Sequence, residues 1–115
     1  FNWGATSKRN WRTPGMLLTP AYERAMRAFP DKPLLLAETA TASAGGNKAH
    51  WISTLLAQQP WRFPAIKAVV WFNMDKERDW AIDSGHDAQV FFGACGVRGI
   101  CCEPNFMINL LWGKR

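Results

Sequence analysis

The residue with the clearest chemical potential is Glu38, which ends the run KPLLLAET and is followed by the small-residue stretch ATASAGG. A carboxylate is costly to bury, so its place at the end of an apolar run calls for a purpose. The chemistry open to it is nucleophilic attack or proton transfer. Asn73 stands in the same relation to a second apolar run, IKAVVWF, at residues 66–72. Three more carboxylates, Asp75, Glu77 and Asp79, follow in the stretch MDKERD. General acid work would need a raised pKa from a shielded site, and the KERD run reads instead as a solvated, charged loop. His50 and His86 have no metal-ligating partner at i+4 and read as ordinary helix residues. Cys95, Cys101 and Cys102 are odd in number, two of them adjacent, which fits free thiols better than a disulfide framework or a zinc site. No metal and no organic cofactor is expected.

The elements that must position these groups are legible as helix-then-strand units. Thr19 followed by Pro20 is a plausible helix start, and Tyr22, Ala25, Met26 and Phe29 recur at helical spacing until Pro30. The short run Leu34, Leu35, Leu36 predicts a strand buried on both faces, as in a parallel sheet. Gly45 and Gly46 break the chain, and Ala49, Ile52, Leu55 and Leu56 mark a second helix ending before Pro60. Val69, Val70, Trp71 and Phe72 carry the β-branched and aromatic enrichment of a second buried strand. Ser84 with Asp87 three residues on resembles a capping box opening a third helix through Val90 and Phe91. In the remainder, GVRGICCEPNFMINLLWGKR, an apolar cluster has no clear period.

Alternating helices and buried strands imply an α/β fold with a parallel sheet, whose active groups collect at the strands' carboxyl ends. Glu38 and Asn73 both occupy such ends. The chain has 115 residues, 48% of them apolar, which is at most one domain with a core. Its net charge of +5 comes from Lys and Arg scattered from Lys8 to Arg115, with no basic run or helix face, so a nucleic-acid partner is not expected. No apolar run approaches the ~20 residues of a membrane span, and no signal-peptide pattern opens the chain.

Four motifs in order, FNWG, WRT, AYERAMRAFPDKPLLLAETATASAGGNKAHWI and FPAIKAVVWFNMDKERDWAIDS, resemble the carboxyl-terminal part of the family 26 glycoside hydrolases, (β/α)8 barrels that include β-mannanases and related β-glucan-cleaving enzymes. The resemblance covers residues 1–92. A complete barrel typically needs about 250 residues, so it implies the last two to three βα units of one, incomplete without the amino-terminal part. The substrate implied is a β-linked polysaccharide or oligosaccharide, and such polymeric substrates imply secretion of the full-length protein.

By that resemblance Glu38 occupies the place of the catalytic nucleophile at the end of the seventh barrel strand, with the small loop residues leaving room for a sugar ring. The implied mechanism is retaining, with a second carboxylate about 5–5.5 Å away as acid/base. That acid/base belongs to the fourth strand of the family's barrel, outside this stretch. Trp71 matches the last-strand aromatic, an apolar platform for the C–H face of a pyranose; a core tryptophan is the plain alternative. Trp3 and Trp80 are candidates for more distant sugar subsites, or for loop packing. Asn73 joins this set by its strand-end position. Phe1 departs from the family's YNWG and lacks the hydroxyl that hydrogen-bonds the nucleophile. Gly45, Gly46 and Lys48 match GGxK, read as a turn into a helix and its first-turn packing.

Past Phe92 the resemblance ends, and residues 93–115 are expected to form an atypical tail, such as a frame-shifted terminus. Two other readings stand beside the glycosidase: a catalytically inactive barrel fragment retaining weak sugar binding, and a small self-contained α/β domain.

Overall fold

The computed structural model describes residues 1–82, 84 and 85, and the backbone of 107–112. Helix α1 spans Pro14–Ala28, strand β1 Leu34–Thr39, helix α2 Lys48–Arg62, strand β2 Ile66–Asn73 and strand β3 Met107–Trp112. The predicted order of helix, strand, helix, strand is present, and β1 and β2 are parallel. The expected third helix beyond Ser84, together with His86 and the three cysteines, lies outside the described residues.

Helix α1 starts earlier than expected. The chain carries two Thr-Pro pairs, and the first one makes the cap: Thr13 Oγ1 accepts from the Met16 N–H at 3.3 Å, with Pro14 at the first helical position. Pro20 therefore lies inside the helix, where its missing N–H costs up to about 3 kcal/mol. Packing offsets this cost, because Leu17, Leu18 and Tyr22 on α1 all reach the apolar core. Helix α2 likewise runs past the expected stop at Pro60 to Arg62. Its last turn is held by the Phe63 N–H donating to the Gln59 carbonyl at 3.0 Å. The buried Gln59 side chain donates in turn to the carbonyls of Phe63 and Ile66, tying the end of the helix to the start of β2.

The strand order is β1-β2-β3, consecutive and parallel throughout. β3 falls in the apolar cluster near the end of the chain that carried no readable period. Val69 packs with Leu18 and Tyr22 of α1, while Trp71, two residues along the same strand face, packs with Ile52 and Leu55 of α2. Both helices thus cover one face of the sheet. The opposite face, carrying Leu35, Ala37, Ala68, Val70 and Phe72 by alternation, is covered by no described helix. This corrects the expectation that β1 is buried on both faces, since Leu35 is 60% exposed.

A further segment extends the sheet edge. The Asn2 N–H donates to Ala40 O at 2.9 Å, the Ala42 N–H to Asn2 O at 2.9 Å, and the Ala5 N–H to Ala44 O at 2.7 Å. Asn2 and Thr41 form a parallel bridge. This pairing depends on small residues: Gly4 has φ of 77°, and a Cβ there would meet Ala44 O at 2.5 Å.

Candidate functional site

Glu38 sits at a β-bulge. Leu36 pairs with Val69 and Thr39 with Trp71, so Ala37 and Glu38 together stand opposite Val70 alone. A bulge of this kind re-aims side chains and is frequent beside active sites. Glu38 is exposed, whereas Thr39, Ala40, Thr41 and Ala42 directly after it are buried. Ala40 and Ala42 admit the backbone of the Asn2 segment, and Thr41 Oγ1 accepts from Asn2 Nδ2 at 2.9 Å.

The aromatic candidates separate into two groups. Phe1 meets Phe72 edge-on at 5.5 Å between ring centroids and Trp80 at 5.3 Å, and Trp3 meets Trp80 at 5.0 Å. Phe1, Trp3 and Trp80 are therefore brought together just past the carboxyl ends of β1 and β2. Phe1 remains 41% exposed, but Trp80 is 1% exposed. Trp71 is 1% exposed as well; it packs edge-on against Trp51, and its indole N–H donates to Trp80 O at 2.8 Å. Each tryptophan removes roughly 150–250 Å² from water, about 4–6 kcal/mol. Their share in holding this end of the sheet together is accordingly large.

The loop after β2 folds back over the strand ends on three polar anchors. Asn73 Oδ1 accepts from the Ile82 N–H at 2.8 Å, and the Trp71 indole bond to Trp80 is the second. Lys48 is the third, 3% exposed, its Nζ donating to Asp79 O and Ala81 O at 2.9 Å each and to Ser84 Oγ. Sequence reasoning placed Lys48 in first-turn packing only. A signal was present: a cation in the first turn of a helix opposes the macrodipole, so its position at the start of α2 calls for a separate partner. Asn2 was also missed, although its Oδ1 accepts from the Gly4 N–H at 3.3 Å and the Arg12 N–H at 3.0 Å.

The described carboxylates of this loop are on its outside. Asp75, Glu77 and Asp79 are exposed. The Glu77 carboxyl is held below its ordinary pKa, chiefly by a hydrogen bond from its own backbone N–H and further by Lys76, which lies 3.4 Å away. Asp79 Oδ1 accepts from the Ala81 N–H at 3.1 Å. An exposed carboxyl held low, as at Glu77, is the opposite of the shielded, raised carboxyl of a general acid. His50 is exposed in the first turn of α2, its N–H bonded to Asn47 Oδ1 at 2.8 Å. Among the described residues no cluster of His, Cys, Asp or Glu is placed to hold a metal ion. No described helix is long and apolar enough to cross a membrane.

No protein-family model matches the chain. The chain is similar to Endoglucanase H of Acetivibrio thermocellus, with 36% identity over 90 residues that make up 76% of this chain. Those residues are 10% of that protein, so the chain spans about a tenth of the length of the curated relative it matches. It is a partial homologue of an endoglucanase.

Proposed function

We propose that this chain is the nucleophile-bearing, carboxyl-terminal part of a retaining glycoside hydrolase of family 26 type, acting on β-linked glucan or mannan. The observation that carries the reading is the placement of Glu38: an exposed carboxylate at a bulge on the carboxyl end of a parallel strand. Its surroundings support the same reading. Consecutive parallel strand order with both helices on one face is compatible with part of a (β/α)8 barrel, whose interior would take up the face bearing Leu35, Ala37 and Val70. The partial likeness to Endoglucanase H supports a glucan over a mannan.

In this proposal residues 1–92 belong to the catalytic barrel, residues 93–115 lie outside the family pattern, and the complete protein is secreted to meet a polymeric substrate. Glu38 attacks the anomeric carbon, and a carboxylic acid on another barrel strand protonates the leaving oxygen, then activates water to release the sugar. Trp71 and Asn73 position that end of the site through the Trp80 and Ile82 contacts, while Phe1 and Trp3 border the sugar. The test is Glu38→Ala in the full-length protein, assayed on barley β-glucan and on mannan. Turnover should fall about 10⁴-fold or more with oligosaccharide binding retained; unchanged turnover would remove Glu38 from the mechanism.

A further inference from the structure

We propose that the loop between Trp3 and α1 forms a subsite for an acidic sugar, a uronate-type residue carried by the glycan. This rests on the glycosidase reading above and adds a charge preference to it. The loop borders a cleft of about 510 Å³ whose lining includes the aromatic residues Phe1, Trp3 and Trp11 and the cationic residues Lys8, Arg9 and Arg12. That size is within the usual range for small-ligand pockets of about 300–1,000 Å³. Among the described residues no acidic one lines it, and the first acidic residue of the chain is Glu23. Three cationic residues therefore line one cleft, and among the described residues no carboxylate lines it with them.

The site is built to hold its shape. Arg12 is fixed at both backbone groups, its N–H on Asn2 Oδ1 and its carbonyl accepting from the Trp51 indole at 2.8 Å. The Thr6 N–H donates to Arg9 O at 2.7 Å, closing the loop tip. The Arg9 guanidinium lies 4.8 Å from the Trp3 ring centre, a stacking that orients its planar fork. Guanidinium forks take carboxylates in bidentate fashion, and indole faces suit the C–H face of a pyranose. The two chemistries meet in one cleft. Its location fits as well, since Phe1 lines it and Asn2 pairs with Thr41, three residues beyond Glu38. A phosphate backbone would call for a longer cationic track than one loop supplies.

The experiment is calorimetric binding to the full-length protein carrying Glu38→Gln, which prevents turnover. The probes are a β-1,4-linked glucotetraose and the same tetrasaccharide with one ring oxidised to glucuronate. The acidic probe should bind about tenfold tighter at low salt, with the advantage shrinking as ionic strength rises. The triple variant Lys8→Ala, Arg9→Ala, Arg12→Ala should bind both probes alike. Lys8→Glu, at an exposed residue bonded to the loop through its backbone N–H, should cut the preference at least about threefold on its own. Equal affinities in the parent protein, or a preference that survives both variants, overturn the subsite and leave the glycosidase reading intact. Failure of both probes to bind overturns the two together. An oligothymidylate bound as tightly as the acidic probe also overturns the proposal, in favour of a nucleic-acid surface.

Discussion

Lys48→Met removes the cation that holds the loop after β2 while leaving an apolar stem of similar length in place. Among the described residues, Asp79 O, Ala81 O and Ser84 Oγ each lose one bond from the ammonium. Charge-assisted bonds of this kind contribute about 1.5–3 kcal/mol each. The ammonium's own desolvation, several kcal/mol, is recovered in the variant and offsets part of that sum. Ser84 Oγ also keeps its bond to Ala81 O at 2.9 Å. The net loss should be about 2–4 kcal/mol, concentrated in residues 79–84. Hydrogen exchange on the full-length protein reads it locally, because the Ile82 N–H, bonded to Asn73, should lose protection by about 30- to 800-fold. The Trp80 environment should loosen in parallel, seen as a red shift of its fluorescence. An Ile82 amide as protected as in the parent, with a shift in unfolding below about 0.5 kcal/mol, would refute the assignment of Lys48 as the anchor.

Other perturbations follow from the same geometry. Asn2→Ala strands the Gly4 and Arg12 N–H groups and removes the donor to Thr41; it should cost about 2–4 kcal/mol in urea unfolding, and a cost below about 1 kcal/mol would contradict the role. Gly45→Ala, at φ of 81° with a Cβ placed 2.2 Å from that of Ala5, should lower stability by more than about 1–2 kcal/mol; a neutral thermal midpoint would oppose it. Glu77→Gln combined with Asp75→Asn, both exposed, should leave kcat and its pH profile unchanged, whereas loss of the acidic or basic limb would make this loop part of the proton transfer.

Much of the fold was readable because its elements carry local signals. The run Leu34–Leu36 and the stretch around Val69–Phe72 announced parallel strands, and Ala49, Ile52 and Leu55 announced the core face of α2. What went unread depends on tertiary context. Two Thr-Pro pairs compete to start α1, and packing of Leu17 and Leu18 decides for the earlier one. Pro60 looks like a stop, yet Gln59 holds the last turn of α2 from inside. Lys48 reaches Asp79, 31 residues away, and Asn2 reaches Thr41, 39 residues away, separations at which sequence spacing says nothing. Glu38 was singled out by a local oddity, a charge ending an apolar run, but the bulge that exposes it arises from pairing with β2. The uncovered face of β1 follows from where both helices lie, which the strand's own residues do not encode.

The central claim is that Glu38 is a nucleophile, and covalent trapping tests it most directly. The full-length protein would be incubated with a 2-deoxy-2-fluoro-β-cellobiosyl fluoride, which slows release of a glycosyl-enzyme, and then digested with trypsin for mass spectrometry. The account predicts one added glycosyl group on the peptide ending at Lys48, localised by fragmentation to Glu38. An active enzyme that is labelled at another carboxylate, or inactivated with Glu38 unmodified, would contradict it.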